Sequence, residues 1–191
     1  LDQILQIVKI FKKDIIRIEF KIIEQSTKTY KEETLKKDNL VENISHYNPL
    51  YIYGGVGMGK THLLNSIGFA LREKNKVMFI SAERFMYQFV KSIKSNDMVK
   101  FKEYFRNTDL LIIDDIQFMN GKETMQEEFF HTFNALLDKG SQIIVSADRP
   151  PNKLIRIQER IKSRFSGGLV VDIQKPEYDL RKKIINYKID E

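Results

Sequence analysis

The sequence predicts an α/β fold built on a five-stranded parallel sheet, and two observations carry that prediction. Short apolar runs rich in Val and Ile recur along the chain, and amphipathic helical patterns separate the first four of them. Strands buried on both faces read as continuous apolar runs, and their alternation with helical segments is the pattern of βαβ crossovers. A length of 191 residues allows one packed domain with a small appendage, not two ordinary domains.

The apolar runs fall at residues 50–53, 76–81, 109–114, 141–146 and 168–173. Leu63, Leu64, Ile67, Ala70 and Leu71 form one helical stripe between them. Phe85, Met86, Phe89, Val90 and Ile93 form a second. A third, Met125, Phe129, Phe130, Phe133, Leu136 and Leu137, ends at Gly140, a C-terminal helix stop. Core packing is the expected role of these side chains. The first 48 residues carry two conflicting patterns. Leu1, Ile4, Val8, Phe11, Ile15, Ile18 and Ile22 fit a heptad, while Ile16, Ile18, Phe20 and Ile22 alternate with Arg17, Glu19 and Lys21 as a strand would. Residues 24–43 are polar and read as a solvated helix or linker, which places a boundary near residues 47–49.

Composition narrows the functional classes. No apolar run approaches the ~20 residues that a membrane helix requires. With no cysteine, disulfide scaffolds, thiol nucleophiles and cysteine-bound metal centres are excluded. Residues 1–13 include Asp2 and Lys9 with no small-residue cleavage pattern after them, so they do not read as a signal peptide. The net charge of +6 is local: residues 149–191 hold 11 Lys/Arg against 6 Asp/Glu, whereas residues 51–148 hold 12 of each. Charge alone therefore names no partner.

Directly after the first predicted strand stands Gly54-Gly-Val-Gly-Met-Gly59-Lys60-Thr61, which satisfies G-x-x-x-x-G-K-[ST] between a strand and a helix. In that context the glycines let backbone N–H groups converge on a phosphate. Lys60 reaches the terminal phosphates, and the Thr61 hydroxyl can ligate Mg²⁺. The alternative is a glycine-rich turn followed by an accidental Lys-Thr. The third strand ends in Asp114 and Asp115. Asp114 would hold Mg²⁺ through its water shell and Asp115 would position or deprotonate an attacking water, unless the two simply cap the next helix. Asp115 is one methylene shorter than Glu, so slow hydrolysis suited to a switch is expected. At the end of the fourth strand, Ser146 or Asp148 could sense the terminal phosphate. Arg160 and Arg164, four residues apart, share a helical face. They read either as a basic surface or as arginine fingers toward a neighbouring subunit's nucleotide.

Residues 48–64, Leu111-Ile-Ile-Asp-Asp-Ile-Gln-Phe118, Gln126-Glu-Glu-Phe-Phe-His-Thr-Phe-Asn-Ala-Leu136, Asp148-Arg-Pro-Pro151 and Arg160-Ile-Lys-Ser-Arg-Phe165 together resemble the DnaA family of bacterial replication initiators. The resemblance runs from about Tyr47 to about Lys188. It implies a three-layer AAA+ ATPase fold, with the core at 47–175, the first helix of a lid at 176–191, and an unassigned segment and linker at 1–46. ATP or ADP with Mg²⁺ would be the cofactors. Gly55, Gly57, Gly59, Lys60, Thr61 and His62 would bind nucleotide, Thr61 and Asp114 the metal. Asp115, Asp148 as first sensor and Arg164 as arginine finger would be catalytic.

Partners implied by the resemblance are further protomers in an ATP-dependent filament, met through Arg160 and Arg164, and origin DNA. Helices between Ser81 and Asn107 resemble the initiator-specific insertion. Single-stranded DNA would be met near Val90 and Lys122, although Thr124 stands where the family usually has a second basic residue. A full lid and the family's C-terminal helix-turn-helix, which reads double-stranded boxes, are not legible in these residues. A shortened, non-enzymatic interaction module is therefore the alternative expectation. The implied location is the cytoplasm, at the nucleoid.

Overall fold

The computed structural model describes residues 47–175 and three helical positions beyond them, Tyr178, Lys182 and Asn186. The conflicting patterns of residues 1–46 and the rest of the expected lid helix lie outside the described residues. The elements run β1 (Leu50–Tyr53), α1 (Lys60–Leu71), β2 (Val77–Ser81), α2 (Ala82–Lys94), α3 (Met98–Arg106), β3 (Leu110–Asp114), α4 (Glu123–Lys139), β4 (Gln142–Ala147), α5 (Glu159–Ser166) and β5 (Leu169–Asp172). Short 3₁₀ turns at Ile116–Met119 and Pro151–Lys153 follow β3 and β4. The strands lie in the order β2-β3-β4-β1-β5, and all pairings are parallel.

Alternation along each strand sorts the core into two layers. Leu50, Ile52, Leu110, Ile112 and Ile144 point to the face covered by Leu63, Leu64 and Ile67 of α1. Tyr51, Leu111, Ile113, Ile143 and Val145 point to the other face, against α2, α3, α4 and α5. On that second face the aromatic residues form one connected cluster. The Phe85 ring lies 5.4 Å from Phe101, 4.8 Å from Phe105 and 5.9 Å from Phe129. Phe165 continues it to Tyr51, 5.2 Å away. All these spacings lie in the range where edge-to-face and tilted pairs are favourable.

The five predicted strands are present, each end within one residue of expectation, and α4 stops at Gly140, whose φ of 80° is left-handed. The second stripe is only partly right. Phe85 and Phe89 are buried, but Val90 and Ile93 are 42% and 50% exposed. Val90 lies roughly 140° round the helix from Phe85 at 3.6 residues per turn, beyond the sector that faces the core. Two further contacts fix the site's surroundings. Asn48 Oδ1 accepts from the Ile143 N–H at 2.9 Å and its Nδ2 donates to the Ser141 carbonyl at 2.7 Å, tying the approach to β1 onto β4. Glu128 on α4 holds Arg106 at 3.2 Å and Lys102 at 3.6 Å, fastening α3 to α4.

Candidate nucleotide site

Because β1 sits beside β4 and next but one to β3, their carboxyl ends open side by side, which is where ligands bind in open parallel sheets. The loop that leaves β1 turns on Gly57 and Gly59, with φ of 77° and 86°. A side chain at either position would be strained in that conformation. Gly59 is the N-cap of α1 and no acidic residue occupies the helix's first turn. The unpaired amides there and the positive end of the helix dipole favour an anion. Lys60 is buried, only 8% exposed. Its Nζ donates to the carbonyls of Gly54 at 2.8 Å and Gly55 at 2.9 Å, so the ammonium is held within the loop. His62 follows on the exposed side of the same turn, with its carbonyl accepting from the Ser66 hydroxyl at 2.9 Å.

The two motifs meet at one hydrogen bond. The Thr61 hydroxyl donates to Asp114 Oδ2 at 2.7 Å across 53 residues of sequence. Asp114 is buried, and its other oxygen accepts from the Ser146 hydroxyl. A hydroxyl and a buried carboxylate are hard oxygen donors, the set that Mg²⁺ takes together with water and phosphate oxygens. These residues therefore fit that ion. Ser146 is fully buried and also accepts from the Asp115 N–H at 2.9 Å. Its hydroxyl is committed to the acidic pair, so Ser146 holds those residues and is not placed to sense a phosphate.

Asp115 has φ 58° and ψ 55°, a left-handed conformation rare outside glycine that costs of order 1–2 kcal/mol. Its Oδ1 accepts from Gln117 Nε2 at 2.9 Å. Asp148 follows β4, and Arg149 binds its carboxylate with both Nε at 2.9 Å and Nη2 at 2.7 Å. That forked bond holds the Asp148 carboxyl below the usual carboxylate range, against an opposing push from burial and with help from Lys60. The Tyr51 hydroxyl donates to the Arg149 carbonyl at 2.8 Å. Burial, with the Asp148 charge adding to it, pushes the Tyr51 phenol far up, so it stays a donor at all ordinary pH.

Arg160 and Arg164 are exposed on α5 and share one face of it, as the spacing predicts. Their guanidinium carbons lie 4.7 and 6.0 Å from the centre of the Phe130 ring on α4, and Arg160 Nε also donates to Gln158 Oε1 at 2.7 Å. Both arginines thus lie over α4. Val90 and Lys122 are exposed on elements linked through the turn Ile116–Met119, which packs against α2 and whose Met119 carbonyl accepts from the Lys122 N–H at 3.1 Å.

Sequence reasoning missed Gln117, Gln126 and Arg149. Gln126 is fully buried and satisfied: its Nε2 donates to the carbonyls of Met119 at 2.8 Å and Arg156 at 2.9 Å, and its Oε1 accepts from the Gln158 N–H at 2.9 Å. It thereby binds the turn after β3 to the segment that leads into α5. A polar residue within the apolar stripe of α4 was the only sign of this in the sequence.

Sheet order, phosphate-type loop and acidic strand end together define a P-loop fold of the AAA+ type. The family model described as the bacterial DnaA ATPase domain matches residues 13–172. The chain belongs to the DnaA family. That match begins within the segment in which the sequence reading recognised no family pattern. The chromosomal replication initiator protein DnaA of Rickettsia canadensis is 52% identical over 151 residues, 78% of this chain and 33% of that protein. Domain III of the Thermotoga maritima initiator superposes with a TM-score of 0.73 at 43% identity, covering 78% of this chain and 66% of that one. A DnaA bound to AMPPCP and single-stranded DNA gives 0.73 at 41% identity, covering 78% and 47%. The chain thus spans about a third of the length of the curated relatives it matches. Among the described residues no helix is long and apolar enough to cross a membrane.

Proposed function

We propose that this chain is the ATP-binding and slowly hydrolysing core of a DnaA-type replication initiator, assembling with further copies on origin DNA in the cytoplasm. The observation that carries the reading is the bond between Thr61 and Asp114, which brings the phosphate loop and the acidic strand end to one point. When ATP enters, Lys60 exchanges its two carbonyl partners for terminal phosphate oxygens, while the loop amides cradle the others. Thr61 and Asp114 would hold Mg²⁺, which neutralises phosphate charge when bound. Asp115 orients a water against the terminal phosphorus. The new P–O bond forms as the bridging oxygen leaves with ADP, and the water's proton passes to Asp115 or solvent.

Asp148 and the adjoining Arg149 form an ion pair just after β4, and a terminal phosphate would compete with Asp148 for Arg149 or for Lys60. Arg164, with Arg160 beside it, would reach the nucleotide of the next protomer. Support for a DNA partner comes from the relative bound to single-stranded DNA and from the exposure of Val90 and Lys122.

The test is ATP binding by the purified chain in Mg²⁺ and in EDTA, compared with Thr61→Ala and Asp114→Asn. Each variant should lose about tenfold in affinity in Mg²⁺ and little in EDTA. Equal losses in both conditions would remove the metal assignment. A folded chain that binds no nucleotide would leave a non-enzymatic interaction module instead.

A further inference from the structure

We propose that Gln117 is a positioning residue for ATP hydrolysis, one that turns the Asp115 carboxylate and ties it to the end of β4. The role rests on the nucleotide reading given above. Gln117 lies in the 3₁₀ turn Ile116–Met119, two residues after Asp115. Its carboxamide is engaged at both ends: Nε2 donates to Asp115 Oδ1 at 2.9 Å, and Oε1 accepts from the Asp148 N–H at 3.3 Å. A carboxamide is suited to this because it carries a donor and an acceptor on one rigid plane.

The Asp115 backbone is already held, since its N–H is bound by Ser146 in a left-handed conformation that persists only under external restraint. That bond fixes where the side chain starts but not how it turns, because the second torsion of Asp is broad. The Gln117 contact supplies the missing restraint. It occupies one carboxylate oxygen and so assigns the other to a water. Since the same carboxamide also holds the Asp148 N–H, the direction of Asp115 depends on where β4 ends, beside the ion pair of Asp148 and Arg149. Gln117 touches no reacting atom and acts through Asp115.

Single-turnover ATP hydrolysis and separately measured ATP affinity would be compared for the 191-residue chain and its Gln117→Ala, Gln117→Glu, Asp115→Ala and doubly substituted forms. Gln117→Ala should slow the chemical step about tenfold while leaving affinity within about twofold. Gln117→Glu is nearly isosteric, keeps an acceptor for the Asp148 N–H and sets a like charge against Asp115, so it should be slower than Gln117→Ala. In the Asp115→Ala background, removing Gln117 should cost nothing further. Unchanged turnover in Gln117→Ala, or effects of the two substitutions that multiply, would overturn the positioning role alone. No nucleotide binding by the unsubstituted chain would overturn the nucleotide reading and this role with it, and binding without turnover would overturn the hydrolysis reading and this role while leaving the nucleotide site standing.

Discussion

Ser146 illustrates how one small side chain decides the geometry of two acidic ones. Its hydroxyl donates to Asp114 and accepts from the Asp115 N–H, all at the base of the site. Replacing it by Ala leaves a buried carboxylate oxygen and a backbone N–H without this partner, so Ser146→Ala should destabilise the fold by about 1–3 kcal/mol in denaturant unfolding. The Asp148 carboxyl makes a second residue-scale prediction. Its folded pKa lies below the unfolded one, so the pair with Arg149 contributes stability above the unfolded value of about 4. That contribution is lost as pH falls through the lower folded value. The stability difference between the chain and Arg149→Ala should therefore be constant from neutral pH down to about 5 and shrink below about 4; a difference that grows with acid would contradict the assignment. Lys60, Thr61, Asp114 and Asp115 were legible in the sequence because each stands inside a motif with its own chemistry. Ser146 was legible as a polar strand end but not as the holder of the pair. That role needs the register Ile113↔Val145, which sets Asp114 beside Ser146 and is not written in either strand.

At the scale of elements, apolar runs announced every strand: β1, β3 and β4 are covered on both faces and have few polar positions to blur the pattern, while the edge strands β2 and β5 keep apolar residues although they are only half-buried. Helix α2 was harder, since its apolar residues spread beyond the buried sector that faces α3, α4 and the turn after β3. The two 3₁₀ turns left no periodic signal at all. Phe129 touches Phe85, Phe133 and Phe165 at 5.9 to 6.2 Å and is wholly buried. Phe129→Ala should cost about 3–5 kcal/mol, read as a lowered unfolding midpoint. A loss below about 1 kcal/mol would mean that α4 repacks without it. The insertion-like pair α2 and α3 is held to α4 partly by Glu128, an arrangement that joins the faces carrying Val90 and Lys122 to the core rather than leaving them on a loose appendage.

The described residues carry their candidate chemistry in two groups: phosphate loop and acidic pair at the carboxyl edge of the sheet, and two exposed arginines on α5. Gln126 ties the turn behind Asp115 to the segment that enters α5, so the two groups share one hydrogen-bonded scaffold. An arginine that serves another protomer should be separable from binding in its own. Arg164→Ala is therefore expected to bind ATP as the unsubstituted chain does and to lose ATP-dependent association in sedimentation; parallel loss of both would make Arg164 structural. Family membership was readable from five motifs in order, whereas the match to residues 13–46 was not, because heptad and strand patterns compete there.

The first measurement is equilibrium binding of ATP and ADP with Mg²⁺ to the folded chain, beside Lys60→Ala. Saturable binding that falls by about a hundredfold or more in the variant is expected, since the substitution removes the one cation that the loop encloses. Binding that survives unchanged in Lys60→Ala, or its absence from the unsubstituted folded chain, would contradict the assignment of this loop as the nucleotide site.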